Sequence, residues 1–310
     1  MIRKLLAALG FACALLGAGP ARAWNSGTHV YIADQLLKSE ASNPRLIIDA
    51  EYGASVLDLF GNDFTPPAVY LSEMLHDPNG DLFMNVWDVA SARRDRALAY
   101  GLVSHNNAWG ADATAHISGL TSGQGVGWVI ARGEILGAML DPFLQQAGIV
   151  LPPSQLTDVG HFLVEQAVDL LMLEVDRSLG AKVMASAAAR EKKAPFLLQA
   201  AWSDAFASVV GSPEAASQMI FAYEDGLREY LMAYGWALMQ PNAIELLASQ
   251  TAVIAEGYLG LPPGSAAPLV PLIESGILAG MQLCAPDFQQ EIAATVEWVG
   301  ANMAAHGVTY

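Results

Sequence analysis

Five of the six histidines in this chain belong to a series of histidines and acidic residues that could bind metal. His105, Asp112 and His116 fall within one short segment, and His161 stands four residues before Glu165. Zinc binds imidazole nitrogens and carboxylate oxygens in proteins, at roughly 2.0–2.2 Å. The residue types and their spacing therefore predict a metal cluster.

Two more histidines extend the series towards the amino terminus. His29 lies five residues after Trp24, and His76 lies thirteen residues after Asp63. His76 also opens the stretch His-Asp-Pro-Asn-Gly, in which the four residues after the histidine are typical of a turn. These residues complete a set of candidate ligands that begins at Trp24 and ends at Glu165.

Helical geometry would bring several of these side chains together. If one helix spans residues 88–118, then His105, Asp112 and His116 point within about 20° of one line, at 100° per residue. His161 and Glu165, at positions i and i+4, share a face of another helix. Two helices are therefore expected to offer ligands from one face each.

Each feature taken alone has a simpler interpretation. A His–Glu pair at i, i+4 is most often an ordinary polar contact, and Asp63, after Gly61 and Asn62, fits a turn or a helix cap. His105, next to two asparagines, could simply line or cap a helix. The order in which all these residues follow one another favours the metal cluster.

The first 23 residues have the features of a secretory signal sequence. Arg3 and Lys4 precede an apolar run at 5–17, and residues 21–23 read Ala-Arg-Ala, a cleavage motif. We predict cleavage before Trp24 and export to the periplasm or the medium. The mature chain would keep 12 basic residues against 31 acidic ones, so its net charge would change from −16 to −19.

The mature sequence predicts an all-α protein, a multi-helix bundle around the metal site. Ala, Leu, Met, Glu and Gln dominate, and alternating β-branched runs are scarce. We place a helical core at residues 24–185 and a helical carboxyl-terminal extension, packed on that core, at 186–310. The predicted helices are roughly 27–41, 45–60, 88–118, 125–147, 155–177, 194–210, 213–239, 241–257 and 285–305.

The net charge and the hydropathy of the chain bear on whether it binds nucleic acid or crosses a membrane. A chain this acidic repels polyphosphate, so no nucleic-acid partner is expected. Residues 266–285 are apolar, but Pro268, Pro271 and Glu274 argue against a spanning helix. We expect a buried core helix there, with an interfacial contact as the alternative, and no transmembrane segment in the mature chain.

The order of the candidate ligands resembles that of the zinc-dependent phospholipase C family of bacteria, whose relatives include the single-strand-specific zinc nucleases. Members are all-α and hold three zinc ions with nine residues in a fixed order. Local motifs are also similar, namely Ser104-His105, Gly160-His161 and the turn after His76. The resemblance covers about residues 24 to 170. The nine corresponding residues are Trp24, His29, Asp63, His76, His105, Asp112, His116, His161 and Glu165.

Two features depart from the family pattern. The family's central triplet usually reads His-x3-Asp-x5-His, whereas this chain has His-x6-Asp-x3-His between residues 105 and 116. The gap from His116 to His161 is also longer, and it holds the predicted helix 125–147. This extra helix is expected to cover or reshape the substrate cleft.

The resemblance implies a role for each ligand. One zinc would be held by Asp63, His76, His105 and Asp112, and a second by His116, His161 and Glu165. Trp24, through its free α-amine and carbonyl, would hold the third together with His29 and a bridging Asp112. The resemblance also makes Asp63 the catalytic residue that orients the attacking water.

The implied function is that of a secreted zinc phosphodiesterase of the phospholipase C type, acting on phospholipid at a membrane surface. One alternative keeps the metals but makes the protein a single-strand-specific nuclease or nucleotidase. Another is a non-catalytic helical protein stabilised by zinc. The His116, His161 and Glu165 trio would leave one coordination position open, which favours catalysis over a closed structural site.

Overall fold

The computed structural model describes residues 24–38, 43–121, 123 and 125–310. The predicted signal sequence, residues 1–23, lies outside the described residues. Within the described ranges the chain forms helices and no β-strand, so the predicted all-α class is confirmed. The α-helices are α1 (Ser26–Leu36), α2 (Pro44–Gly53), α3 (Pro66–Leu75), α4 (Met84–Val89), α5 (Arg93–His105), α6 (Trp128–Gln146), α7 (Pro153–Val175), α8 (Leu179–Ala189), α9 (Ala194–Val210), α10 (Pro213–Leu238), α11 (Ala243–Tyr258), α12 (Val270–Cys284) and α13 (Phe288–Ala305). Shorter helical turns are Val56–Phe60 and Ala267–Leu269, both 3₁₀, and Ala113–Ile117, which is π-helical.

Prolines and caps explain where several helices begin and end. Pro66 and Pro153 each occupy the first position of a helix, where a missing N–H costs nothing. Ser212 caps α10, because its side chain accepts a hydrogen bond from the amide of Ala215. Gly211 ends α9 with a φ of 98°, a backbone conformation that glycine adopts readily.

The predicted helix 88–118 is wrong, because the chain breaks in its middle. Helix α5 ends at His105, and residues 106–110 form a turn. The side-chain oxygen of Asn106 accepts hydrogen bonds from three successive amides, those of Ala108, Trp109 and Gly110. This side chain satisfies the amides of a turn and so replaces the helical hydrogen bonds.

Helix α7 lies at the centre of the bundle. It packs against α6 on one side, against α12 on another, and also contacts α1. Helix α10 packs against both α8 and α9, and α8 also contacts α2 and α1. The carboxyl-terminal helices therefore pack on the amino-terminal ones, while the boundary that we predict at residue 185 stays a prediction.

Helices α2 and α5 cross with their backbones in contact. A Cβ atom on Gly101 would lie 1.9 Å from the carbonyl oxygen of Ala50, and one on Gly53 would lie 2.0 Å from that of Leu98. Both contacts are with backbone, which cannot rotate away. The two glycines therefore fix the position of α5, and with it His105 at the end of that helix.

A Gly101→Ala substitution is expected to lower the free energy of unfolding by about 1–3 kcal/mol or more, as overpacked positions do. Gly226→Ala in α10 is the matched control, because a Cβ there meets nothing within 4 Å. The control should leave stability unchanged or raise it by up to about 1 kcal/mol. Chemical denaturation followed by circular dichroism measures both. Equal stability of Gly101→Ala and wild type would contradict the close crossing.

The apolar stretch predicted as a core helix is only partly buried. Residues 267–284 have a mean hydropathy of 1.4, and 22% of them are buried. Helix α12 buries one face, which includes Gly276, Ile277 and Gly280, and leaves the other exposed to solvent. By length and composition this stretch could cross a membrane, but core helices of soluble proteins pass the same test.

Candidate metal centre

Three groups of potential ligands form in the structure, and the ligand atoms within each lie no more than 4.8 Å apart. We call them the Asp112 group, the Asp58 group and the Glu165 group. The first two share His105, so they form one continuous cluster. The groups are His29, His105 and Asp112; Asp58, His76 and His105; and His116, His161 and Glu165.

The ligands come mainly from places where helices end. His76 directly follows the last residue of α3, and His105 is the last residue of α5. Asp112 and His116 lie at the start of the π-helical turn and within it. His29 on α1 and the two ligands on α7 come from helix interiors.

Asp112 bridges two parts of the cluster with its two carboxylate oxygens. Its Oδ1 lies 3.2 Å from Nε2 of His29, and its Oδ2 lies 3.0 Å from Nε2 of His105. The same Oδ2 lies 3.7 Å from Nε2 of His76. Asp112 therefore lies between His29 and His105, and the zinc-bridging role that the family resemblance implies for it stays a prediction.

The protein fixes the tautomers of His76 and His105 through the ring nitrogen that points away from the cluster. Nδ1 of His76 donates to the carbonyl of Ser72 at 2.8 Å, and Nδ1 of His105 donates to that of Ala54 at 2.7 Å. A carbonyl oxygen can only accept, so Nε2 of each neutral ring carries a lone pair directed into the cluster. Metal-binding histidines are held in this way.

The Glu165 group has the same organisation. Asn107 donates from its amide nitrogen to the carbonyl of His76, which turns its oxygen towards Nδ1 of His116 at 3.1 Å. Nε2 of His116 then faces Nε2 of His161 at 3.1 Å, and the latter lies 2.6 Å from Oε1 of Glu165. Ligand atoms around a tetrahedral zinc ion are about 3.3 Å apart at these bond lengths.

Several of the converging atoms have no hydrogen-bond partner although they are buried. They are Nε2 of three histidines and three carboxylate oxygens. A buried polar atom without a partner costs about 1–3 kcal/mol. A cation bound between these atoms would satisfy all of them, so the residues present fit a metal. The atoms belong to His29, His76, His105, Asp58 and Asp112.

The charges of the cluster also favour a cation. Burial raises the pKa of Asp58, but His105 and His76 lower it to about 2. Burial lowers the pKa of His105, but the carboxylates of Asp112 and Asp58 raise it to about 9. Burial and the neighbouring His161 hold the pKa of His116 well below its usual value. The two aspartates are therefore anionic, and a metal that binds His105 would displace its proton.

Asp63 does not belong to any of the three groups. Its Oδ1 accepts the amide of Thr65 at 2.8 Å, and its Oδ2 accepts the hydroxyl of Tyr223. Asp58 stands where we expected Asp63, with Oδ1 3.6 Å from Nε2 of His76 and 3.9 Å from Nε2 of His105. The expectation for Asp63 is corrected because this residue forms the turn before α3.

The sequence contains a signal that favours Asp58 over Asp63. Asp58 is a lone acid between Val56-Leu57 and Leu59-Phe60, all four of which are buried. Charged residues are almost never buried unless they are paired, so an acid in such a run indicates a charged, metal or hydrogen-bonding partner in the fold. Asp63 has turn-forming neighbours instead.

The shared helical face predicted for His105, Asp112 and His116 is not the reason why they meet. The chain reverses at residues 106–110, so the three residues come from different segments. Gly110 permits this reversal, since a Cβ there would lie 2.5 Å from the amide nitrogen of Asn106. His161 and Glu165, by contrast, do share a face of α7.

Trp24 is fully buried between the groups. Its indole nitrogen donates to the carbonyl of Ala111 at 3.1 Å, next to Asp112 in the chain, and its ring packs against that of Trp128. Trp24 also lines a small pocket with Asp58 and Glu165. The first residue predicted for the mature chain therefore lies beside two of the groups.

Asp169 holds α1 in place, a role that the sequence did not suggest. Its fully buried carboxylate accepts the amides of Gly27 and Thr28, at 2.8 and 2.7 Å. It also accepts the hydroxyls of Thr28 and Tyr234, at 2.7 and 2.8 Å. Because α1 carries His29, Asp169 ties that ligand to α7.

Comparison with protein-family models, with characterised proteins and with solved structures gave no match.

Proposed function

We propose that the protein is a zinc-dependent hydrolase of phosphodiesters that acts on phospholipids in the manner of a phospholipase C. The observation that carries this proposal is the convergence of three ligand groups, two of which share His105, with Asp112 placed between His29 and His105. A single structural zinc site needs only four ligands. Clustered sites are typical of enzymes that cleave phosphate esters.

The chemistry would take place at the small pocket that Trp24, Asp58 and Glu165 line together. Zinc ions held by the three groups would neutralise phosphate oxygens and lower the pKa of a bound water towards about 7. Asp58 directs Oδ1 towards His76 and His105, and its Oδ2 would hold the attacking water by a hydrogen bond. Asp58 thus takes the role that we expected of Asp63.

Other residues of the pocket would position the substrate and exclude bulk water. Leu227 and Tyr230 of α10 and Asn62 also line the pocket. The carbonyls of Ser72 and Ala54 and the side chain of Asn107 keep the histidine rings in their orientations, which is the positioning on which in-line displacement depends.

Phospholipid is favoured over nucleic acid by charge. The whole chain has a net charge of −16, and removal of the predicted signal sequence would make it −19. A polyanionic strand would be repelled at long range, whereas a phospholipid with a zwitterionic headgroup would not. Export through the signal sequence would place the enzyme in the periplasm or the medium.

A substrate panel on zinc-loaded protein tests this function. We expect hydrolysis of phosphatidylcholine and of p-nitrophenyl phosphorylcholine, loss of activity after chelation with a lower melting temperature, and recovery when zinc is restored. His116→Ala should lose most of the activity, whereas His306→Ala, outside the groups, should retain it. Hydrolysis of single-stranded DNA alone would instead indicate a nuclease. Bound zinc without any hydrolysis would indicate a structural role.

A further inference from the structure

An apolar cleft lies directly beside the Glu165 group. Its walls come from α6, α7, α11 and α12, and His161 belongs both to the cleft wall and to the Glu165 group. A molecule that fills the cleft would therefore lie against His161 of the Glu165 group. Apolar wall residues include Leu140, Leu144, Leu163, Ile254, Leu272 and Ile273.

The few polar groups in the wall are bonded within the protein. The hydroxyl of Tyr258 donates to Asp158 at 3.0 Å. Thr251 donates to the carbonyl of Leu247 and accepts from Gln166, at 2.8 and 2.7 Å. None of the described residues that line the cleft is Lys or Arg. The wall thus offers little to a sugar, a base or a second phosphate.

The size of the cleft suits a chain rather than a single solvent molecule. Its volume is about 140 Å³, whereas a cavity that holds one water molecule needs only about 10–15 Å³. Most of the wall is apolar, and burial of apolar surface is the main driving force for a hydrocarbon.

Helix α6 connects the cleft to an exposed apolar surface. Leu140 and Leu144 line the cleft, while Ile135, Met139 and Phe143, spaced four residues apart, are each about half exposed to solvent. Apolar residues at this spacing form a stripe along one face of the helix. Such a stripe suits contact with the lipid surface from which a chain would enter.

We propose that this cleft binds one hydrocarbon chain of the lipid substrate while the phosphodiester lies at the ligand groups. The proposal rests on the proposed function, because it assigns the lipid part of the same substrate. It assigns chain binding to α11 and α12, which follow the last candidate ligand, Glu165, in the sequence. These helices would make the enzyme depend on chain length.

The first test measures chain binding without hydrolysis. The neutral fluorescent probe N-phenyl-1-naphthylamine is titrated into zinc-loaded protein and then displaced by straight-chain alcohols of increasing length. We expect affinity for the alcohols to rise about two- to fourfold per methylene until the cleft is full. Failure of the probe to bind, or displacement that does not depend on chain length, would overturn the proposal.

Substitutions in and outside the cleft test where the fluorescent probe binds. Ala255 lines the cleft, so Ala255→Trp should fill it and weaken probe binding at least tenfold, and Ala255→Leu should do so in part. Val253→Trp is the matched control, because Val253 lies on the same helix and is 67% exposed. Melting temperatures verify that each variant is folded. Equal probe binding by wild type, Ala255→Trp and Ala255→Leu would overturn the proposal.

Hydrolysis assays distinguish a failure of the cleft proposal from a failure of the proposed function. Ala255→Trp should lose at least tenfold in kcat/KM for dihexanoyl phosphatidylcholine and little for p-nitrophenyl phosphorylcholine, which has no such chain. An equal loss of kcat/KM on both substrates, or no loss on either, would overturn the proposal that the cleft binds a chain. The proposed phosphodiesterase activity would still stand. Chain binding that Ala255→Trp abolishes, in a protein that hydrolyses neither substrate, would support the cleft and reject the proposed function.

Discussion

An Asp58→Asn variant is expected to lose at least about 100-fold in phosphodiesterase activity and to bind less zinc. The substitution keeps the shape of the side chain but removes the negative charge that faces His76 and His105. Loss of a residue that merely orients a ligand already costs about 10- to 100-fold in metal affinity or activity, so loss of a ligand should cost more. Steady-state kinetics and metal analysis on the purified variant measure both effects.

Asp63→Asn is the control for this experiment. It makes the same chemical change five residues further along the chain, at a carboxylate that accepts hydrogen bonds from Thr65 and Tyr223. We expect it to keep its zinc and to retain activity within about threefold, because nearby charge changes outside the ligand set have small effects. The opposite result, with Asp63→Asn inactive and Asp58→Asn unaffected, would restore the original prediction for Asp63.

Addition of one alanine before Trp24 is expected to reduce zinc content and activity of the mature protein. A backbone nitrogen can ligate zinc as a free, deprotonated amine, and an α-amino group has a pKa of about 7.7–8.0. The extra residue converts that nitrogen into an amide, whose lone pair is delocalised into the carbonyl group and is not available to zinc. The family resemblance implies this role, and the position of Trp24 beside Asp58 and Glu165 supports it.

Native mass spectrometry on the two forms counts the metals. Protein that begins at Trp24 should bind three zinc ions, and protein with the additional residue should bind fewer and hydrolyse substrate poorly. Signal cleavage would then complete the enzyme only after export. Equal zinc content and activity would instead make Trp24 a buried aromatic residue that packs on Trp128 and has no part in metal binding.

The sequence predicted the parts of this protein that depend on short-range patterns. Composition and hydrophobic periodicity predicted the helical class, and helices such as α9 and α10 lie close to their predicted positions. The i, i+4 spacing of His161 and Glu165 predicted that they share a face, because a continuous helix fixes that geometry.

Contacts between distant segments were harder to predict. The break after His105 depends on three hydrogen bonds to the Asn106 side chain, which periodicity does not reveal. Helix α3 begins at Pro66, in the stretch between the predicted helices 45–60 and 88–118, where no helix was predicted. The apolar run around Asp58 does not reveal its partners His76 and His105, because these come from two other segments that pack against it.

Anomalous diffraction at the zinc absorption edge, on crystals of the processed protein purified without chelator, tests the central claim most directly. We expect one peak between His116, His161 and Glu165, and further peaks within bonding distance of Asp112 in the cluster that includes His29, His76 and Asp58. Absence of any peak at these positions after soaking with zinc would contradict the claim that the three groups bind metal.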